Sequence, residues 1–350
     1  MQKRHKKGVI RQNTVIFETE KPTTSMKTVS ILVPESSVMQ AIADPQYLFA
    51  AANLFLQQAG KKPLFTIQLV ATTKEVKINQ GLFTVQATHL LNEVKKTDLI
   101  IIPALFGDMP TAIQQNEAII PFIKNHYKKG AEVASLCVGA FLFAATGLLN
   151  GKKCSTHWGF QNEFRSLFPE VIVQEGNIIT EENRLYSSGG ANSYWNLLLH
   201  LLEKYTDRET AILAAKYFAI DIDRQSQNIF TLFQGQKNHS DEAIKKAQEY
   251  IEQHFNKKIS VDDLADNVAV GRRSFERRFK KATNNSVLEY IQRIKVEAAK
   301  RAFESSRKNS TEVMYEVGYT DTKAFRSTFK KVTGLTPIEY RNKYNKLAVN

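Results

Sequence analysis

The sequence predicts two folded domains: a doubly wound α/β domain, then an all-α domain built from a duplicated helical unit. Three observations carry this. Strand-like and helix-like segments alternate from residue 29 to about 202. From residue 240 to 344 the apolar spacing is helical throughout, broken only by short turns. Within that stretch one pattern occurs twice, with its anchoring Phe275 and Phe325 fifty residues apart.

The strands are expected at 29–33, 65–71, 99–102, 133–136 and 171–173. Several are unbroken apolar runs, as strands buried on both faces require. Helices are expected at 45–59, 111–127, 140–146 and 191–202. This alternation predicts a parallel, flavodoxin-like sheet with helices on both faces. The Glu182-Asn183 pair reads as a hairpin turn. Residues 207–230 read as helical, and the polar stretch 233–239, with Gly235, marks a domain boundary. The expected divisions are therefore a tail at 1–25, an α/β domain at 26–205, a connector at 206–239 and a helical domain at 240–345. Ser240 is the expected cap of the first helix of that last domain, with Asp241 and Glu242 in its first turn. The tail is basic, polar and aperiodic, which predicts disorder. Met26, directly before the first strand, is the expected translation start.

Bulk composition narrows the function classes. Apolar residues are 43% of the 350 and charged residues 24%, as in ordinary globular proteins. No apolar run reaches the ~18 residues of a membrane helix. The N-terminus lacks the apolar core of a secretory signal. Two cysteines cannot make a disulfide scaffold, so a cytoplasmic location is expected. The net charge of +13 is uneven: residues 241–350 carry +8, the tail +4 and the 215 residues between them +1. A folded basic region suits a polyanion, because each neutralised phosphate releases counterions.

The repeated pattern sharpens that reading. Its first copy has the apolar pair Leu264-Ala265, then a turn, then a helix at 271–283. Its second copy has Val313-Met314, the turn Gly318-Tyr319, and a helix carrying Phe325 and Phe329. In both, two Phe four apart face inward and Phe-Lys-Lys closes the helix. The exposed face of the first helix offers Arg273, Glu276 and Arg277 to base edges, with Arg272, Lys280 and Lys281 suited to phosphates. On the second, Thr322, Lys323, Arg326 and Ser327 are exposed, and Lys330 and Lys331 suit phosphates. Two such helices on one chain can enter successive major grooves of double-stranded DNA.

Residues 241–345 closely resemble the AraC/XylS-type transcription regulators. The resemblance rests on Leu264-Ala265, Ser274-Phe275-Glu276-Arg277-Arg278-Phe279-Lys280, Gly318-Tyr319 before Asp321, Phe325, Phe329-Lys330-Lys331, Gly334-Leu335-Thr336-Pro337 and Tyr340-Arg341. It implies two helix-turn-helix units joined by a long helix at about 287–303, promoter binding and, usually, activation with RNA polymerase as partner. Met314 departs from the family's preferred Ala.

In the first domain, Ala134-Ser135-Leu136-Cys137-Val138-Gly139-Ala140 reads as a strand, a sharp turn and a helix start, the geometry of a nucleophile elbow. A helix N-terminus favours a thiolate. His157 is a candidate basic partner. A small buried cysteine without chemistry fits the same spacing. The stretch resembles the class I glutamine amidotransferase-like (PfpI-type) superfamily, in the version fused to AraC-type domains. Cys137, Gly139-Ala140-Phe141, Gly147-Leu148-Leu149-Asn150-Gly151, Thr156-His157-Trp158, Ser188-Gly189-Gly190 and the Arg224…Gln227…Phe230 run carry it. This domain order is that of GlxA-type regulators.

Enzymes of the superfamily set an acid four residues before a Pro, and here Ala41 holds that place before Pro45. Their Pro-Gly-Gly oxyanion loop is replaced by Pro103-Ala104-Leu105. The expectation is a non-enzymatic sensor. Its pocket for an unknown small-molecule effector would be lined by Cys137, His157, Asp44, Val138 and Ala104, and the local helix N-terminus could receive an anionic or polar group. No catalytic residue, cofactor or metal is assigned, and a homodimer is possible. The alternatives are a Cys/His hydrolase or glyoxalase-like enzyme fused to a DNA-binding domain, a redox sensor pairing Cys137 with Cys154, and an architectural nucleic-acid protein.

Overall fold

A computed structural model describes residues 25–222, 226–228, 231–233, 235–237 and 239–345. Residues 1–24 of the expected tail, Arg224 and Phe230 lie outside them.

The first domain is a seven-stranded sheet in the order β10-β11-β7-β6-β1-β2-β5. Its strands are β1 (Lys27–Leu32), β2 (Phe65–Ala71), β5 (His89–Leu90), β6 (Leu99–Ile102), β7 (Glu132–Ser135), β10 (Ile179–Glu182) and β11 (Leu185–Ser188). All pairings are parallel except β10 with β11. The central β6, Leu-Ile-Ile-Ile, is wholly buried, which explains its unbroken apolar run. A small hairpin, β3 (Glu75–Ile78) with β4 (Phe83–Gln86), stands outside the sheet. The helices are α1 (Gln40–Gln58), α2 (Met109–Gln115), α3 (Ile119–Lys128), α4 (Ala140–Ala145), α5 (Gln161–Leu167), α6 (Tyr194–Tyr205) and α7 (Arg208–Tyr217). From β1 the chain fills one side of the sheet, then returns to β6 and fills the other. The strand order therefore reverses between β1 and β6, where doubly wound sheets open a ligand crevice.

Several expectations need correction. Residues 171–173 do not join the sheet: β9 (Ile172–Val173) pairs only with β8 (Lys153–Cys154). The first helix begins at Gln40 and carries Pro45 inside it. Pro45 has no N–H to give Ala41 O; the first turn ahead of it is closed by Ala41 N to Val38 O and Ile42 N to Met39 O. The segment 111–127 is two helices. Asn116 breaks it, its buried amide accepting from Glu35 N and donating to Ala112 O, and Pro121 then sits in the first turn of α3. The hairpin turn is Asn183-Arg184, both with positive φ, the signature of a type I′ turn. Helix α7 ends at Tyr217, not 230, and Ala219 follows at φ 55°.

The second domain comprises α8 (Glu242–His254), α9 (Val261–Asn267), α10 (Arg272–Thr283), α11 (Val287–Ser305), α12 (Ser310–Glu316), α13 (Thr322–Thr333) and α14 (Pro337–Tyr344). The cap of α8 is Asp241, which accepts from Ile244 N, rather than Ser240. The domain has two separate apolar cores. One gathers Leu264, Phe275, Phe279 and Tyr290; the other gathers Met314, Phe325, Phe329 and Tyr340. Helix α11 serves both, giving Val287, Tyr290 and Ile291 to the first and Val296, Ala299 and Phe303 to the second. The boundary segment is tied down: Phe233 packs on Tyr290, and Phe233 N donates to Glu297, itself in a buried pair with Lys300 at 2.8 Å.

Candidate nucleic-acid interface and ligand pocket

Each helix-turn-helix unit is assembled by local rules. Ser260 caps α9 and Asn309 caps α12, each side chain accepting an orphan backbone N–H. The turn between α9 and α10 spans residues 268–271, and that between α12 and α13 spans 317–321, one residue longer. Gly318 makes the longer turn possible: its φ is 74°, and a Cβ there would lie 2.2 Å from the Asn256 carbonyl oxygen. The buried pairs Leu264-Ala265 and Val313-Met314 seat α9 and α12 on the anchors Phe275 and Phe279, and Phe325 and Phe329. Met314 is buried without disturbing this packing.

The duplication runs further than the two Phe. Thr283 Oγ1 donates to Phe279 O at 2.8 Å, and Thr333 Oγ1 to Phe329 O at the same distance. Asn284 and Gly334 then take left-handed caps. Ser286 with Glu289, and Thr336 with Glu339, form capping boxes that start the next helices. Tyr290 and Tyr340 close each core edge-on against the second Phe, at 5.3 and 5.4 Å. All these pairs keep the fifty-residue offset, a signal present in the sequence but missed when only the Phe-Lys-Lys ends are compared.

All twelve DNA-facing candidates are exposed: Arg272, Arg273, Glu276, Arg277, Lys280 and Lys281 on α10, and Thr322, Lys323, Arg326, Ser327, Lys330 and Lys331 on α13. Among the described residues, Arg273, Arg277, Lys323 and Arg326 make no ion pair. Arg272 is held by Asp262 at 2.9 Å. Arg278 is committed inward, to both oxygens of Asp241 at 2.6 and 2.8 Å. Lys331 also borders a cleft between the two domains.

The α/β domain has a cavity of about 580 Å³ at the switch point. The loops after β1, β6 and β7 converge there, contributing Val38, Ala104, Phe106, Cys137 and Val138, with His157 and Tyr194 opposite. Four of the five pocket candidates thus share one cavity. Asp44 does not line it; it stands behind Tyr194, whose hydroxyl donates to Asp44 Oδ2 at 2.6 Å. No Lys, Arg, Asp or Glu lines the cavity, so it has no charged side chain for an anionic ligand.

Cys137 occupies an elbow, with φ 54°. Gly139 permits the close approach: a Cβ there would lie 2.3 Å from Pro103 O. The thiolate expected at this turn is not favoured, because burial pushes the Cys137 thiol up to about 12 and outweighs the bond from Val138 N–H. A three-residue 3₁₀ turn and the six-residue α4 follow, too little helix to reverse that. No hydrogen bond joins Cys137 to His157 among the described residues. His157 Nδ1 accepts from Gly159 N at 3.1 Å, which leaves the proton on Nε2, and burial holds the ring below its usual pKa. Ala41 is fully buried in the first turn of α1. Cys154 is buried, and its thiol is also pushed up to about 12.

These two sites define a class: a crevice-bearing α/β domain joined to a pair of helix-turn-helix readers. The chain belongs to the DJ-1/PfpI family, whose profile matches residues 29–204, and it carries an AraC-type helix-turn-helix domain, matched over residues 264–343. It is similar to the HTH-type transcriptional regulator GbdR of Pseudomonas aeruginosa, 25% identical over 233 residues, which are 63% of this chain and 60% of GbdR. The HTH-type transcriptional regulator ArgR of the same species is 24% identical over 221 residues, covering 63% of this chain and 67% of ArgR. A solved structure of a putative transcriptional regulator from Vibrio parahaemolyticus superposes with a TM-score of 0.50 at 22% identity, over 55% of this chain and 99% of that one. It shares the α/β fold.

Proposed function

We propose that this chain is a sequence-specific, non-enzymatic transcription regulator that binds promoter DNA through α10 and α13 and senses a small molecule in its α/β domain. The observation that carries the reading is the matched pair of exposed basic helix faces, fixed to one rigid helix by duplicated cores. The regulators GbdR and ArgR, which align with 63% of this chain at 25% and 24% identity, support it. The reading places the protein in the cytoplasm, without a cofactor, acting as an activator with RNA polymerase and with a second copy of itself as further partners. Among the described residues no helix is long and apolar enough to cross a membrane.

The effector is a neutral, largely apolar molecule, since the cavity offers Gln40, Cys137, His157, Asn192 and Tyr194 as polar groups and no Lys, Arg, Asp or Glu. Ala41 in place of an acid and a protonated Cys137 support a sensor over a hydrolase.

The test is selection of genomic DNA fragments by the purified protein at about physiological salt. The expected outcome is an enriched motif with two half-sites about one helical turn, ~34–36 Å, apart. Binding without enrichment would reduce the second domain to a nonspecific anchor.

A further inference from the structure

One short segment faces both the sensor cavity and the DNA-binding half. Residues 157–161 form a 3₁₀ turn, closed by Phe160 N to His157 O at 3.0 Å, that runs into α5. In such a turn side chains three apart lie on the same side. His157 and Phe160 accordingly line the sensor cavity. Trp158 and Gln161 line a second cavity of about 190 Å³ between the domains. Buried Gln227 holds the start of the turn, accepting from Trp158 N at 3.3 Å and donating to Thr156 O at 3.1 Å. Among the described residues Gln161 Nε2 is buried there without a partner, and none of them locks the wall by a hydrogen bond to that amide nitrogen.

The far side of the cleft is α11. Its Arg293 pairs with Glu175 of the α/β domain at 2.7 Å, and Arg165 of α5 grips the same carboxylate at 2.8 Å. Lys331, from the end of α13, borders the same space. The wall of the sensor cavity, the tie between domains and the second reader therefore meet in one place.

We propose that the 157–161 turn is a relay: occupancy of the sensor cavity displaces His157 and Phe160, Trp158 and Gln161 move with them, and the Glu175–Arg293 tie transmits the change to α11. The proposal rests on the DNA-binding reading above. It needs the cavity to take two arrangements with different affinity for operator, which is what an allosteric coupling is.

The test uses the full chain and the operator recovered by fragment selection, with thermal unfolding as a check on folding. R293Q and E175Q should shift operator affinity in the same direction by about fivefold or more, the lower end of measured couplings. The double variant should go no further than E175Q alone, and R293K should stay near wild type. H157A, whose side chain touches neither Arg293 nor Glu175, should shift affinity in the wild-type background and lose most of that effect in R293Q, a coupling that independent sites do not show. If wild type binds its operator while R293Q and E175Q match it, or if H157A and R293Q simply multiply, the relay is wrong. A wild-type chain that selects no motif sinks the DNA reading, and the relay with it.

Discussion

Arg277 of α10 and Arg326 of α13 are exposed and make no ion pair among the described residues; the fifty-residue offset sets Arg277 against Ser327, and Glu276 against Arg326. Replacing either arginine by Ala should cost ~1–3 kcal/mol of specific binding and relax preference at one base position. Lys281→Ala should instead weaken binding to any DNA and reduce the salt slope by about one. Gel-shift titrations at several salt concentrations separate the two effects. Unchanged operator selectivity in the Arg277 variant would remove α10 as a reader. In the α/β domain, burial holds Cys137 as the thiol, leaving little of the reactive thiolate at neutral pH. With a folded value of about 12 against an ordinary 9.0, alkylation by iodoacetamide at neutral pH should be slower in the native than in the unfolded chain by on the order of a thousandfold. Rapid native labelling would show the burial account to be wrong. The sign for stability follows: a raised folded pKa favours the fold below pH ~9 and costs stability as pH climbs toward 12.

At the scale of elements, what was legible in the sequence was whatever repeats or alternates over several residues. The readers, the buried strand β6 and the two-domain order were legible because four-residue anchors and apolar runs are strong signals. The pairing of β8 with β9 was not, since two-residue strands carry no alternation. The start of α1 was misplaced because Pro45 was taken as its first residue, whereas it lies inside the helix; the break between α2 and α3 was missed because it rests on side-chain bonds of Asn116 that apolar spacing does not announce. Of the four pocket candidates that share the cavity, Cys137 and Val138 came from the elbow motif, His157 from its place as a basic partner and Ala104 from the loop after β6. The fifth, Asp44, acts only through Tyr194, a partner 150 residues away that no local pattern announces. The doubled cores predict independent failure. Phe329→Ala should cost ~3–5 kcal/mol and loosen the second unit while the first keeps its core. Hydrogen exchange should show lost protection in α12 and α13 and native protection in α9 and α10. Ser286→Ala removes half a capping box and should cost about 1 kcal/mol, read from the urea midpoint.

At the scale of the whole molecule, charge and function are partitioned. Residues 26–240 carry a net charge of only +1, and the basic excess of +8 lies in the helical half, which matches the proposed division between a neutral ligand and a polyanion. Affinity for DNA should therefore fall steeply with salt, while effector affinity in the cavity should hardly respond. Parallel measurements across roughly 50 to 200 mM salt test this, and matching slopes for DNA and effector would contradict it.

The nineteen residues of α11 span roughly 28 Å, and its two halves are welded into different cores. The helix is thus a gauge block between the readers. Each inserted residue would turn one reader about 100° relative to the other and advance it about 1.5 Å. One or two insertions would point it away from the groove. Seven, close to two full turns, would return it to nearly the same face about 10 Å further along, some three base pairs of duplex. On the proposed reading, the distance between the two words of an operator would be set by the length of one helix, and evolution could retune it without altering a single base contact.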